Sequence, residues 1–362
     1  MLQKCIDLNH PVKELQVSVL NYLNTIKYLP VGIVFDTAHC DAKFAGFIGI
    51  RRKTIKPNTR SLIESFQNAF LGLSQQDRDQ FIFIFNQTNN LKVQFANPTT
   101  AVKLGSYNAS LQNETHALFL NLYEKVLPKY NVKDHYKKVF MAKKDTWCPF
   151  CGMERFISFK RFKQDYDHLL LKAEYPVSAV NMYNLAPMGI NCNRIHKKTK
   201  DLLSDDTGTA RSAVNPYYNV IKPRVNLNGS IMSSDPKKRI WKINIIPNSS
   251  EVMTWDSVFN ISVRCKEDFL DKISKSKQVP EVDTLIYTFV QSSKFRIAQY
   301  KKNNVPTVWN LKLLKMELEI KRNEYNVNYY HEYNYIKYAV FDFLLKDECK
   351  IYRNVLLKTI IN

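Results

Sequence analysis

The 362-residue sequence predicts an α+β protein. Three observations carry that expectation. Residues 1–140 mix helix-period and strand-like apolar runs, a mixed α/β region. Residues 141–203 break that texture with closely spaced cysteines, two histidines and a dense Asn/Lys/Arg stretch. Residues 204–362 open with two short strand-like runs and then turn largely helical.

The elements follow in order. Residues 12–26 carry apolar side chains at helical spacing. Residues 28–35 and 44–50 read as strands, and 59–73 as a helix. The Phe-Ile-Phe-Ile-Phe run within 79–86 predicts a buried strand, with 91–96 as its hairpin partner. Residues 115–127 predict an amphipathic helix with Leu118, Leu122 and Val126 on one stripe. Beyond the central segment, the Asp-Asp-Thr-Gly run at 205–208 is a turn signal. Residues 224–228 and 239–246 read as strands around an Asp235-Pro236 turn. From Asp256 onward the chain reads as helical, most clearly at 283–301, 307–322 and 329–345.

Composition bounds the function classes. With 45% hydrophobic residues the chain has material for packed cores, which excludes a disordered basic tail. Apolar runs are strand-sized, far short of the ~18–20 residues a membrane helix needs. The start, Met1-Leu2-Gln3-Lys4-Cys5, lacks the apolar stretch of a secretory signal, so a cytoplasmic protein without a membrane is expected. A net charge of +20 points to a polyanionic partner. Seven cysteines, an odd number and mostly scattered, argue against a disulfide framework. Those at 5, 40, 265 and 349 are expected as small buried apolar residues.

The central segment holds the chemistry. Its pieces are Trp147-Cys148-Pro149-Phe150-Cys151-Gly152, Asp165-Tyr166-Asp167-His168, Asn181-Met182-Tyr183-Asn184-Leu185 and Cys192-Asn193-Arg194-Ile195-His196-Lys197-Lys198. The C-x2-C-G spacing aims two thiolates at one metal, and the Gly permits the tight backbone. An Asp-His pair or a Cys-Asn pair alone is common by chance. Together, in this order, they are far more specific.

In this order they resemble the HNH (His-Me finger, ββα-metal) endonucleases, in the subgroup built on a zinc treble clef. The match covers residues 145–201, about one-sixth of the chain. The resemblance implies that His168 is the general base and that Asp167 and Asn193 hold a catalytic Mg²⁺ or Mn²⁺. Asn184 would fix the loop and orient His168. Cys148, Cys151 and Cys192 would hold a structural Zn²⁺. The pattern departs at Gly189, where a second C-x2-C would begin. That leaves a four-coordinate zinc one ligand short. His196, at i+4 from Cys192, is one substitute; alternatively it faces the catalytic metal or phosphate, and His135 or Cys265 completes the zinc. A metal-free knuckle is a further alternative.

Arg155, Lys160, Arg161, Lys163, Arg194, Lys197, Lys198 and Lys200 surround these motifs and are expected to neutralise DNA phosphates. Residues 143–201 carry eleven Lys/Arg and six Asp/Glu, so most of the basic surplus lies in the flanks. The function expected is metal-dependent hydrolysis of DNA phosphodiesters. Flanks of this length suit recognition of DNA or docking of a partner such as an ATPase, as in bacterial restriction or anti-phage effectors. The alternatives are a non-catalytic zinc-containing nucleic-acid-binding module and an interaction protein that works through its flanks.

Overall fold

The computed structural model describes residues 4–48, 59–100, 102–142, 147–160, 166–218, 221–271, 279–304 and 308–362. The protein is α+β: mostly helical, with two small antiparallel sheets among the described residues. It divides into two compact units. One comprises Lys4–Pro149 with Arg155–Val220; the other comprises Ile221–Asn362 with Phe150–Glu154. The expected region 141–203 is therefore split: residues 150–154 fall in the second unit, and the rest share the first unit with residues 4–140.

In the first unit, α1 (Glu14–Ile26), α3 (Thr59–Leu71) and α6 (Ala109–Asn121) form where the sequence predicts helices. The hairpin expected at 79–96 is instead α4 (Gln75–Asn89) and α5 (Leu91–Ala96). The physical reason lies in the burial period. Phe81, Ile82, Ile84 and Phe85 are buried while Phe83 is exposed, which is a helical face rather than strand alternation. Ser74 caps α4 by accepting from the Asp77 amide at 3.1 Å. Phe81 packs on Phe66 and Phe70 of α3, and Phe85 on Phe119 of α6.

Two further strand expectations are corrected. Within residues 44–50, the described part belongs to α2 (Ala42–Ile48), started by Asp41, whose carboxylate accepts from the Phe44 amide at 2.8 Å. Residues 49 and 50 lie outside the described residues. Residues 28–35 form turns: Pro30 donates no backbone hydrogen bond, and Gly32 adopts a positive φ of 82°. Helix α7 (Val132–Ala142) was not expected. The unit closes with β1 (Tyr166–His168) paired to β2 (Leu185–Pro187), and then a π-helical turn over Asn191–Lys197.

The second unit contains two short strands followed by helices, with the strand expected at 239–246 confined to its last three residues. Strand β3 (Arg224–Asn226) pairs with β4 (Asn244–Ile246). Helices α8 (Ser250–Phe259), α9 (Ile261–Cys265), α10 (Glu281–Lys302), α11 (Leu311–Val327), α12 (Asn334–Leu345) and α13 (Lys350–Ile361) follow. Phe150–Glu154 is anchored here. The Trp255 indole donates to the Phe150 carbonyl at 2.7 Å, and the Glu332 amide to the Gly152 carbonyl at 2.9 Å.

Candidate functional site

The site grows from the three-residue strand β1. Its pairing sets Asp167 opposite Ala186 and His168 opposite Leu185. Strand alternation separates the two side chains: Tyr166 and His168 are buried, while Asp167 is half-buried on the other face. The strand ends at His168, so the ring can leave the sheet.

His168 is held from two sides. Its Nε2 lies 3.0 Å from the Ala179 carbonyl oxygen. A carbonyl only accepts, so Nε2 carries the hydrogen and Nδ1 keeps its lone pair. The Tyr123 ring packs edge-on against the imidazole, with centroids 4.5 Å apart. Tyr123 comes from a π-helical turn, Leu122–Val126, that continues α6. Burial pushes the His168 pKa down to about 3, and the nearby Lys172 and Lys197 charges act in the same direction. The ring is therefore neutral at pH 7.

Asn184 does not touch His168; it builds the loop that does. Its Oδ1 accepts from the Leu170 amide at 2.7 Å. Its Nδ2 donates to the Leu170 carbonyl at 3.1 Å, the Ser178 carbonyl at 3.2 Å and the Ser178 hydroxyl at 3.1 Å. Ala179, which orients His168, is the next residue after Ser178. A fully buried amide thus staples the residues following His168 to the loop that fixes its tautomer.

The π-helical turn Asn191–Lys197 supplies the opposing elements. Its i→i+5 character shows in the Lys198 amide donating to the Asn193 carbonyl at 2.9 Å. Asn193 is half-buried, and Arg194 and Lys198 are exposed. Lys197 differs from its expected place on a DNA-facing surface. Its side chain is fully buried, and its ammonium meets the Asp167 carboxylate at 3.0 Å. Arg155 and Lys160 are exposed, with the Arg155 guanidinium over the Trp147 ring at 4.9 Å. Arg161 and Lys163 lie outside the described residues.

The three cysteines of the motif come together. Cys148, Cys151 and Cys192 are fully buried, and their sulfurs lie within 4.8 Å of one another. Gly152, at φ 65°, makes the knuckle turn. The Gly189 amide donates to the Cys148 sulfur at 3.3 Å, and the Met153 amide to the Cys151 sulfur at 3.3 Å. Such N–H groups stabilise thiolate charge, so the donor set fits a zinc ion for three of four ligands. Among the described residues none of the expected fourth ligands joins the group. His135 is taken by the Tyr166 hydroxyl at 2.6 Å, and Cys265 lies 3.8 Å from the Tyr335 hydroxyl. Cys5, Cys265 and Cys349 are buried as expected, and Cys40 is partly so.

Three pairings escaped sequence reasoning, although His135 and Lys197 are named there in other roles. His135 on α7 bonds the first residue of β1, and burial lowers its pKa to about 4. Tyr123 buttresses His168, and Lys197 pairs with Asp167. Compared with known protein families, curated proteins and solved structures, the chain gives no match.

Proposed function

We propose that this protein is a metal-dependent, HNH-type endonuclease that hydrolyses phosphodiester bonds in DNA. The observation carrying the reading is the setting of His168: a neutral imidazole with Nε2–H fixed on the Ala179 carbonyl, Nδ1 free to accept, and Asp167 beside it in sequence. In this reading Nδ1 takes a proton from the attacking water. A phosphate anion at the site favours the imidazolium that forms, opposing the effect of burial. Asp167 and Asn193 would hold Mg²⁺ or Mn²⁺; a carboxylate and an amide oxygen suit a hard, hydrated cation. Such a cation supplies charge stabilisation at the scissile phosphate and the leaving oxygen. Asn184 positions the Ala179 loop, and the exposed Arg155, Lys160, Arg194 and Lys198 neutralise backbone phosphates. Cys148, Cys151 and Cys192 would hold a structural Zn²⁺ that orders the knuckle. A cytoplasmic restriction or anti-phage role, with an ATPase or other partner docked on the flanks, extends the same reading.

The test is incubation of purified protein with Mg²⁺ or Mn²⁺ and supercoiled plasmid. Nicking or linearisation that disappears in Asp167→Ala and His168→Ala, at unchanged zinc content and circular dichroism, is the expected result. The second reading, a non-catalytic zinc-containing nucleic-acid-binding protein, draws on the Asp167–Lys197 pair, which engages the carboxylate without a metal. DNA binding without cleavage in either metal would favour it.

A further inference from the structure

A buried ammonium is costly unless an anion faces it. Lys197 is fully buried, and Asp167, whose side chain is 13% exposed, is the anion that faces it at 3.0 Å. The two side chains meet as a buried ion pair. The backbone is shaped for this inward turn. Lys197 is the last residue of the π-helical turn, and Lys198 after it sits at φ 49°, a conformation that costs a non-glycine residue free energy. Lys197 also lies one turn beyond Asn193. The ammonium therefore reaches Asp167 from the same turn that carries the second candidate metal ligand.

We propose that Lys197 is the resident counter-ion of Asp167 and that a divalent cation must displace it to bind there. The proposal rests on the endonuclease reading, because it takes Asp167 as a metal ligand. Two cations cannot share one carboxylate at close range without mutual repulsion, which stays substantial at the effective dielectric of about 20 that describes protein sites. The lysine holds the Asp167 carboxylate in place while the metal is absent. The cost is weaker metal binding than the bare carboxylate would give.

The experiment measures Mn²⁺ binding by electron paramagnetic resonance on the full-length, zinc-loaded chain, alongside melting with and without Mn²⁺. The variants are Lys197→Met, Lys197→Gln and each combined with Asp167→Asn. The expected result is Mn²⁺ binding about tenfold tighter or more in Lys197→Met and Lys197→Gln, abolished when Asp167→Asn is added. Both single variants should melt lower than wild type without Mn²⁺ and recover in its presence. Equal Mn²⁺ affinity in wild type and both lysine variants, still dependent on Asp167, would overturn the proposal and leave the endonuclease reading standing. Absence of Asp167-dependent Mn²⁺ binding in every variant would remove the metal site itself, and both ideas with it. Lysine variants that stay unfolded even with Mn²⁺ would show a structural lysine that no metal replaces, which also overturns the proposal.

Discussion

Replacing Asn184 by Ala removes, from a fully buried position, one hydrogen bond accepted from the Leu170 amide and the donations of two Nδ2 hydrogens shared among the Leu170 carbonyl, the Ser178 carbonyl and the Ser178 hydroxyl. Each such bond contributes about 1 kcal/mol net, and the Leu170 amide, left buried without its acceptor, adds a desolvation penalty of about 1–3 kcal/mol. Overlap between the two terms brings the expected loss to about 3–5 kcal/mol. Urea unfolding read by tryptophan fluorescence measures it. Asn184→Asp sharpens the result. It keeps an acceptor for the Leu170 amide but turns a carboxylate toward oxygens that now receive no donor, so it should be no better than Ala. The Leu169 amide, bonded to the Asn184 carbonyl at 2.8 Å, should exchange with deuterium faster in both variants. A loss below about 1 kcal/mol for Asn184→Ala would refute the idea that this amide staples the loop behind His168.

Three more outcomes are expected. His135 and His168 have folded pKa values of about 4 and about 3, below the unfolded value, so the unfolded chain binds more protons between those values and about 6.5. Their contribution is full above pH 6.5 and is lost as pH falls. At pH 5 the loss is about 2 kcal/mol for each, and urea unfolding at pH 7 and pH 5 should show it shrinking by one share in His135→Gln. One Zn²⁺ per chain should be released by chelator or absent from Cys192→Ser, with a fall in melting temperature of about 10 °C, a few kcal/mol at 2–4 °C each; metal analysis finding no zinc in the purified wild type would contradict this. DNA affinity of His168→Ala, measured by fluorescence anisotropy, should fall about a thousandfold between 50 and 200 mM salt; a salt-independent affinity would leave the +20 charge without a DNA-binding role.

The parts of the site legible in sequence were those fixed by short spacing. Cys148 and Cys151 declare a knuckle by three residues, and their meeting with Cys192 is what the motif order implied. Asn184 reads as a loop former through the resemblance, and its bonds to Leu170 and Ser178 lie within its own hairpin. What stayed hidden depends on distant packing. His135 and Tyr166 are 31 residues apart, and nothing local pairs them. Lys197 is expected from sequence to meet DNA phosphate, because a lysine's burial depends on a partner the linear sequence does not bring near it. The Phe81–Phe85 run failed differently: five consecutive apolar residues fit either period, and only the Ser74 cap and the exposure of Phe83 decide for a helix.

The most direct test of His168 as the proton acceptor is chemical rescue. Truncation in His168→Gly leaves a ring-sized space against Tyr123 and the Ala179 carbonyl. Plasmid cleavage by the wild type with Mg²⁺ or Mn²⁺, loss in His168→Gly, and return of cleavage on adding millimolar imidazole is the predicted result. Cleavage by His168→Gly at the wild-type rate without imidazole would contradict the account.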